Sequence, residues 1–184
     1  MTLPGINPGG SYGRAGCRDI APFIRAWFVE KNGLDIGCGW DKIVPWAIGI
    51  DGVRGKTADE QVLNPTGVET VNIVGDACDL SMFTDESLDF VFSSHMLEHI
   101  PKDLSLQTAS TEWMRVLKVG GLLVLYLPDG NVWETDLHMW NPVPEDFTEL
   151  FPTKEMFTWV PKDHLRDCLV VGTLTHSFLV VVRK

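Results

Sequence analysis

Short apolar runs separated by turn residues dominate the first two thirds of the chain. Five of them have the length and continuity of buried strands, at residues 33–37, 47–51, 71–75, 88–92 and 122–127. Near-continuous apolar runs this short are typical of strands covered on both faces, as in a parallel sheet. The pattern therefore predicts a sheet that lies between layers of helices.

Two segments have the apolar spacing of amphipathic helices. The first covers about residues 18–31, and its apolar positions are Ile20, Phe23, Ile24, Trp27 and Phe28. The second covers residues 103–118 and is predicted to stop at Gly120-Gly121, because glycine often ends helices. Strands that alternate with helices predict an α/β fold in a single domain, residues 1–184. The closing runs 169–171 and 178–182 predict an antiparallel pair.

Two segments fall outside this alternation. Residues 1–16 contain five glycines and two prolines, without a GxxxxGK[ST] pattern, and are predicted to form a flexible arm. Residues 129–163 are rich in Trp, Phe and Pro. Their rings are interpreted either as a substrate wall or lid, or as a cover over the sheet.

Charge and composition narrow the function classes. The chain carries 15 basic and 25 acidic residues, a net charge of −10, which argues against a nucleic-acid partner and against an anionic membrane surface. No apolar run reaches the roughly 18 residues of a membrane span, and no signal peptide is recognised. The four cysteines form no CxxC pair, so zinc ribbons and thioredoxin-like motifs are excluded. A cytoplasmic protein is expected.

Glycines and carboxylates follow three successive predicted strands. Asp35-Ile36-Gly37-Cys38-Gly39 ends the first, Asp51 ends the second and Gly75-Asp76-Ala77 ends the third. Glycine lets a ligand approach the backbone, and a carboxylate accepts hydrogen bonds from ribose hydroxyls or an amine. Ligands of open α/β sheets bind outside the carboxyl ends of the strands. Lys42 stands where a dinucleotide fingerprint needs its third glycine, which argues against NAD.

In this order, the segments resemble the motifs of class I S-adenosylmethionine-dependent methyltransferases, most closely the small type 11 group. Residues 34–39, 49–51 and 75–80 are similar to the first three motifs. Residues 87–99 resemble the segment SxDxVxSSHxLEH, and residues 113–121 resemble xxRVLKPGG with Val119 in place of the usual proline. The resemblance covers about residues 33–129.

The resemblance implies a Rossmann-like, mostly parallel sheet of seven strands, flanked by helices, whose last strand is antiparallel. It implies S-adenosylmethionine as the cofactor and methyl transfer to an oxygen or nitrogen of a small-molecule acceptor. A homodimer or a protein partner is also considered. The cofactor positions that it implies are Asp35, Gly37, Cys38 and Gly39 for the methionine part, Asp51 for the ribose, Asp76 and Ala77 for the adenine, and Ser93 and Ser94 beside the reaction centre.

Three residues are candidates for catalysis. His95 lies just past the fourth predicted strand, and a histidine is suited to act as a general base toward a hydroxyl or amine. Asp129 directly follows the fifth strand, and His138 lies in the aromatic-rich segment.

One departure from the family motivates a second hypothesis. Only twelve positions separate Gly39 from Asp51, and Pro45 stands between them. The helix that usually follows the glycine loop is therefore predicted to be shortened or absent. The alternative function is a binding or regulatory module with this fold, in which cofactor binding has weakened.

A remote alternative comes from His95-Met96-Leu97-Glu98-His99, which also matches the HxxEH zinc signature of some metalloproteases. Two histidines at i and i+4 on a helix share one face and chelate zinc. The competing interpretation makes His99 a packing or capping residue. Glu145, Asp146 and Glu149 are interpreted as a solvated helical face, and the methyltransferase hypothesis includes no metal.

Overall fold

A computed structural model of the chain describes residues 20–22, 24–39, 42–52, 70–131, 136, 138–151, 156–158 and 177–184. Within these ranges the strands are β1 (Gly33–Ile36), β2 (Ile48–Asp51), β3 (Ile73–Val74), β4 (Leu88–Ser94), β5 (Leu117–Pro128), β6 (Met156–Thr158) and β7 (Ser177–Arg183). The helices are residues 20–22 and 24–28, α1 (Lys102–Ser110), α2 (Glu112–Val116) and α3 (Pro144–Leu150), with a 3-10 turn at Leu97–His99.

The seven described strands form one sheet in the order β3-β2-β1-β4-β5-β7-β6. β1 to β5 pair in parallel, and β7 runs antiparallel to both β5 and β6. This confirms the predicted sheet, including its antiparallel last strand. Among the described helices, none has the length and apolarity that crossing a bilayer requires.

The sheet buries side chains on both faces, because alternate strand residues point to opposite sides. In β4, Val91 joins one buried cluster, while Phe90 and Phe92 join the other. The second cluster also contains the helical residues 20–28, where the ring of Phe28 stacks on Phe90 with centroids 3.8 Å apart. A Cβ on Gly33 would lie 2.3 Å from the Phe90 carbonyl oxygen, so only glycine fits at the start of β1.

The predicted helix 103–118 is divided and shorter than expected. α1 ends at Ser110, and the hydroxyl of Thr111 bonds back to the Gln107 carbonyl at 2.7 Å, in competition with the regular helix. Leu117 already belongs to β5, where it pairs with Leu88. Gly120-Gly121 therefore lies inside a strand, and its prediction as a helix stop is wrong. Sheet pairing has overridden a local helix preference.

The first helix also ends earlier than the predicted residue 31. Residues 29 and 30 form a turn, Glu30 has a φ of 58°, and the Lys31 amide bonds to the Phe28 carbonyl at 3.0 Å. The expected arm 1–16 and strand 169–171 lie outside the described residues. Within the described residues, β7 pairs antiparallel with β5 and with β6, which covers residues 156–158.

The described part of the aromatic-rich segment packs into the core. Trp140, Phe147 and Phe151 are buried in the same cluster as Val91, and Trp133 and Trp159 lie outside the described residues. α3, which interrupts this segment, begins with Pro144, and the Asp146 carboxylate accepts a hydrogen bond from the amide that precedes it. The described rings thus cover the sheet, and a lid role for the segment stays a prediction.

Candidate active site

A cavity of about 320 Å³ opens at the carboxyl ends of the parallel strands. Its volume falls within the roughly 300–1,000 Å³ of small-molecule sites, and its place is the one that open α/β sheets use. The residues that line it are Gly37, Ile50, Asp51, Gly52, Gly75, Ala77, His95, Met96 and His99.

The glycine loop after β1 is built against the end of β2. Gly37 has a φ of 71° and Gly39 a φ of 48°, the left-handed region that favours glycine. A Cβ on Gly37 would lie 2.5 Å from Cγ of Met96. The Gly39 amide donates a 2.8 Å hydrogen bond to Oδ2 of Asp51. The loop therefore keeps both the close approach and the carboxylate that a nucleoside ligand needs.

Asp35 is not among the residues that line the cavity. Its side chain is buried, and Oδ2 accepts hydrogen bonds from the amides of Ile43 and Val44 at 2.8 and 3.1 Å. Described residues 42–47 contain no helix, as Pro45 predicts. The Asp35 carboxylate thus satisfies amides that a regular helix start would leave exposed. Cys38 is also buried and packs beside β2, with Sγ 3.8 Å from the Thr70 carbonyl oxygen.

After β3 the chain presents Ala77, rather than Asp76, to the cavity. Asp76 is exposed, and its Oδ1 accepts a hydrogen bond from the Cys78 amide at 2.8 Å. The Ala77 carbonyl accepts a 2.8 Å bond from Nε1 of Trp113, whose side chain is fully buried on α2. The position of this loop therefore depends on a helix that is distant in sequence.

Arg115 holds the rest of this loop. Its guanidinium donates to the carbonyls of Leu80 and Phe83 at 3.0 and 2.9 Å, and it forms ion pairs with Asp85 and Glu112. The hydrogen bond from Arg115 lowers the pKa of the Glu112 carboxyl. Because Glu112 also accepts the Leu80 amide at 3.0 Å, this network anchors the chain between β3 and β4.

The serines that end β4 are buried among backbone groups. Ser93 Oγ donates to the Ile36 carbonyl at 3.0 Å, which ties β4 to the end of β1. Ser94 is also buried. Among the described residues, neither serine lines the cavity.

His95 is held in place from several sides. Its φ of 47° is unusual for a residue other than glycine, and its amide donates to the Tyr126 carbonyl at 2.8 Å. Nε2 lies 3.1 Å from Oγ of Ser177, and Nδ1 lies 3.5 Å from Oε1 of Glu98. The ring lines the cavity. Its orientation is thus fixed between β5, β7 and the turn that follows β4.

Glu98 is an ionisable residue in the buried interior of the protein. Its side chain is fully buried, and neither carboxylate oxygen accepts a hydrogen bond within the described structure. This burial raises the pKa of Glu98 to about 8. An ionisable group kept in such a position is expensive and frequently has a functional reason.

The helix face that the zinc-protease hypothesis requires does not exist. His95 is in the left-handed region and Leu97–His99 form a 3-10 turn, so His95 and His99 are not one helical turn apart. His99 instead faces His138, with ring centroids 5.3 Å apart. Burial lowers the pKa of His138, and the neighbouring His99 lowers it further. His99 also lines the cavity. The interpretation of His99 as a packing or capping residue did not predict this position.

Asp129 has a local partner. Its Oδ1 accepts a hydrogen bond from the Asn131 amide at 3.0 Å, just past the end of β5. Among the described residues, neither Asp129 nor His138 lines the cavity.

The structure therefore brings four of the candidate residues to one cavity: Gly37, Asp51, Ala77 and His95. The sequence argument did not count Gly52 or Gly75 among the cofactor positions, although it named Gly75 in the motif after the third strand. It also missed Ile50 and Met96. Glycine directly after an apolar run is the signal that finds the two glycines. No local signal marks Ile50 or Met96, because their lining role follows from how the strands pair.

The comparison with protein families decides the family. The sequence profile described as Methyltransferase domain matches residues 34–125, which is half of the chain. This chain belongs to the methyltransferase domain family. The matched segment carries the glycine loop, the end of β2, the loop after β3 and the turn at His95, so the cavity lining lies entirely within it.

A curated relative agrees. The chain is 33% identical over 100 residues to a protein of Encephalitozoon cuniculi (strain GB-M1) whose name proposes methyltransferase activity. The alignment covers 53% of this chain and 45% of that protein, so the chain spans less than half the length of this relative.

Solved structures share the fold over nearly the whole chain. One is a SAM-dependent methyltransferase from Archaeoglobus fulgidus, with a TM-score of 0.63, 17% identity and 95% of each chain covered. Another is magnesium protoporphyrin IX methyltransferase from Synechocystis PCC 6803 with bound SAH, with a TM-score of 0.61, 14% identity, and 100% of this chain and 90% of that chain covered.

S-adenosylmethionine is the cofactor that this family implies. The described residues fit it on three points. A cavity of suitable volume lies at the strand ends, Gly37 lines it without a side chain of its own, and the Asp51 carboxylate stands at the end of β2. A carboxylate has several lone pairs, so the bond from Gly39 does not exhaust what Asp51 can accept.

Proposed function

We propose that this chain is an S-adenosylmethionine-dependent methyltransferase that transfers a methyl group to an oxygen or nitrogen of a small-molecule acceptor. The observation that carries this proposal is the convergence of Gly37, Asp51, Ala77 and His95 on one cavity, within the segment that defines the family.

The glycine loop would admit the methionine part of the cofactor beside Gly37. Asp51 would accept the ribose hydroxyls, and Ala77 would border the adenine. Six further positions have an indirect, structural role in this proposal: Asp35, Cys38, Gly39, Asp76, Ser93 and Ser94. The contacts of the first five hold the loops and strand ends that shape the cavity, and Ser94 is buried at the end of β4. All six would therefore act on the cofactor through the backbone.

The bound cofactor supplies an electrophilic methyl group, and the protein must align a nucleophile with it. Such alignment is worth roughly 7–11 kcal/mol of the barrier. We assign the general-base role to His95, because its ring lines the cavity and the contact of Nε2 with Oγ of Ser177 orients it. Asp129 and His138 do not line the cavity, so in this proposal they have no direct part in proton transfer. Asp129 shapes the turn after β5.

A small acceptor is proposed because the cavity, at about 320 Å³, has the volume of a small-molecule site. A protein partner is a second element of the proposal. One protein of the same fold is the methyltransferase in a complex with the Haloferax volcanii Trm112 methyltransferase activator, with a TM-score of 0.55, 19% identity, and 94% and 95% of the two chains covered.

The first test is calorimetric titration with S-adenosylmethionine and S-adenosylhomocysteine. Asp51→Asn keeps the shape of the side chain and removes its charge. A hydrogen bond to a charged group is worth about 1.5–3 kcal/mol, so the variant should bind both ligands at least about tenfold more weakly. Asp103→Asn, an exposed change on α1, is the matched control and should bind as the wild type does.

The catalytic assignment needs a separate measurement. With an acceptor found by screening for release of S-adenosylhomocysteine, His95→Gln should lower kcat by roughly 10²–10⁴-fold while cofactor binding persists. The rising limb of the pH–rate profile should disappear in the variant. If folded wild-type protein binds neither ligand, the methyltransferase proposal fails and the binding-module hypothesis takes its place.

A further inference from the structure

Three metal-binding side chains meet beside the cavity. One possible donor atom each from Glu98, His99 and His138 lies within 4.8 Å of the others. The three come from two separate parts of the chain, the turn after β4 and the segment before α3. The His95-x-x-Glu98-His99 pattern does not describe this set, because the third member is His138 and not His95.

Glu98 supplies the second, independent observation. Its side chain is fully buried, and neither oxygen accepts a hydrogen bond from any described group. A buried carboxylate without such a bond costs stability unless a cation compensates it. Nδ1 of His95 lies 3.5 Å from Oε1, too far for a hydrogen bond by the geometry of the side chains.

One backbone and one side-chain hydrogen bond hold the two parts of the chain together. The Met139 amide donates to the Glu98 carbonyl at 2.8 Å, and Nε1 of Trp140 donates to the Leu97 carbonyl at 3.1 Å. Residue 138 is thereby fixed opposite the 3-10 turn. Such outer contacts are what orients the ligands of protein metal sites.

We propose that Glu98, His99 and His138 form a binding site for a divalent transition metal of the zinc type. Two imidazoles and one carboxylate suit Zn²⁺, Fe²⁺ or Co²⁺ rather than Mg²⁺ or Ca²⁺, which prefer oxygen ligands. Tetrahedral donors about 2.1 Å from a metal lie roughly 3.4 Å apart. The set must therefore contract slightly, and His99, which is exposed, has room to rotate.

The site would share a wall with the cavity, because His99 lines both. It would also give the buried carboxylate a ligand bond, where the described residues provide no hydrogen bond. The inference does not rest on the proposed methyltransferase activity, since metal alone tests it.

The experiment uses the full chain, washed with chelator and then titrated with Co²⁺, whose visible absorption reports the geometry and number of its ligands. Competition with Zn²⁺ and elemental analysis give affinity and stoichiometry. We expect one metal per chain. Glu98→Gln, His99→Asn and His138→Asn should each weaken binding by at least about tenfold, by analogy with the 10- to 100-fold losses seen for supporting residues.

Two controls sharpen the test. Glu149→Gln makes the same charge change as Glu98→Gln on an exposed face of α3 and should leave the metal affinity unchanged. His95→Asn should retain the metal, since His95 is not a member of the set. Circular dichroism checks that each variant folds. His99→Asn changes an exposed side chain and is therefore expected to disturb folding least.

Failure to bind stoichiometric metal in the folded wild type would overturn the proposal. So would equal affinity in all variants, or loss of metal in His95→Asn with retention in His138→Asn. Titration of metal-free protein with S-adenosylhomocysteine is scored separately, so failure of the metal site and failure of the proposed function remain distinguishable.

Discussion

Nε1 of Trp113 donates a 2.8 Å hydrogen bond to the carbonyl of Ala77, which joins the buried face of α2 to the wall of the cavity. The indole is fully buried, so this bond is shielded from water. The helix of the RVLK segment thus sets the position of a loop that lies about 36 residues earlier in the chain.

Trp113→Phe should reveal this link. The change keeps an aromatic ring but removes the donor of a partly buried hydrogen bond, which costs about 0.5–1.5 kcal/mol. Urea unfolding should show that loss, and the affinity for S-adenosylhomocysteine should fall with it. Trp46→Phe is the control, because Trp46 is 46% exposed and bonds to the Phe28 carbonyl away from the cavity. Equal losses in both variants would contradict this account.

Gly37→Ala should destabilise the protein and block the cavity. A side chain in the left-handed region costs about 1–2 kcal/mol, and the new Cβ would lie 2.5 Å from Met96. Gly75→Ala is matched, because Gly75 also lines the cavity but its Cβ would meet Ile73 only at 3.7 Å. Thermal unfolding of the two variants should separate them clearly, with Gly75→Ala near the wild type.

Glu112 should make stability depend on acid pH. The hydrogen bond from Arg115 lowers the pKa of Glu112 below its ordinary value of 4.5. A carboxylate with a lowered pKa in the folded state stabilises that state above the unfolded value, and the gain vanishes as pH falls through the folded value. The stability difference between the wild type and Glu112→Gln should therefore shrink as pH drops from about 6 to 3.

Urea unfolding at several pH values measures this difference. Glu86→Gln serves for comparison, since the Glu86–Lys184 pair is 54% exposed on its acidic side and such surface pairs contribute little. If the difference in free energy of unfolding between the wild type and Glu112→Gln stayed constant down to pH 3, the assigned role of Arg115 would be wrong.

In chelator-washed protein, Glu98 should make the stability of the fold decrease as pH rises, which is opposite to the effect of Glu112. Burial raises the pKa of Glu98 to about 8, so between its ordinary value of 4.5 and about 8 the folded state binds more protons than the unfolded state. The free energy of unfolding should then fall as pH rises through this window. The groups that face Glu98, namely His95, His99 and His138, are present in both wild type and variant.

Glu98→Gln removes the titrating group and should flatten this fall, with the largest stabilisation relative to wild type above pH 8. Glu149→Gln, on the exposed face of α3, should keep the wild-type slope. Denaturation of the three proteins from pH 5 to 9 is the measurement, and parallel curves for all three would disprove the effect.

Much of the fold follows from local pattern. The apolar runs at 33–37, 47–51 and 88–92 coincide with β1, β2 and the start of β4, because a strand buried on both faces needs continuous apolar sequence. Pro45 correctly predicts that no helix follows the glycine loop in the described residues. The residues that end the strands were found for the same reason: they must lie at one edge of a parallel sheet.

Tertiary structure alone decided what depends on distant contacts. Leu117 is drawn from a helical pattern into β5 because its pairing with Leu88 outweighs a weak local preference. Glu98 and His138 are forty positions apart, and only the hydrogen bonds between their two turns bring them together. The sequence by itself determined the sheet and the edge where a ligand would bind, since both follow from neighbouring residues. The side chains that face one another there depend on packing between segments, which no local pattern records.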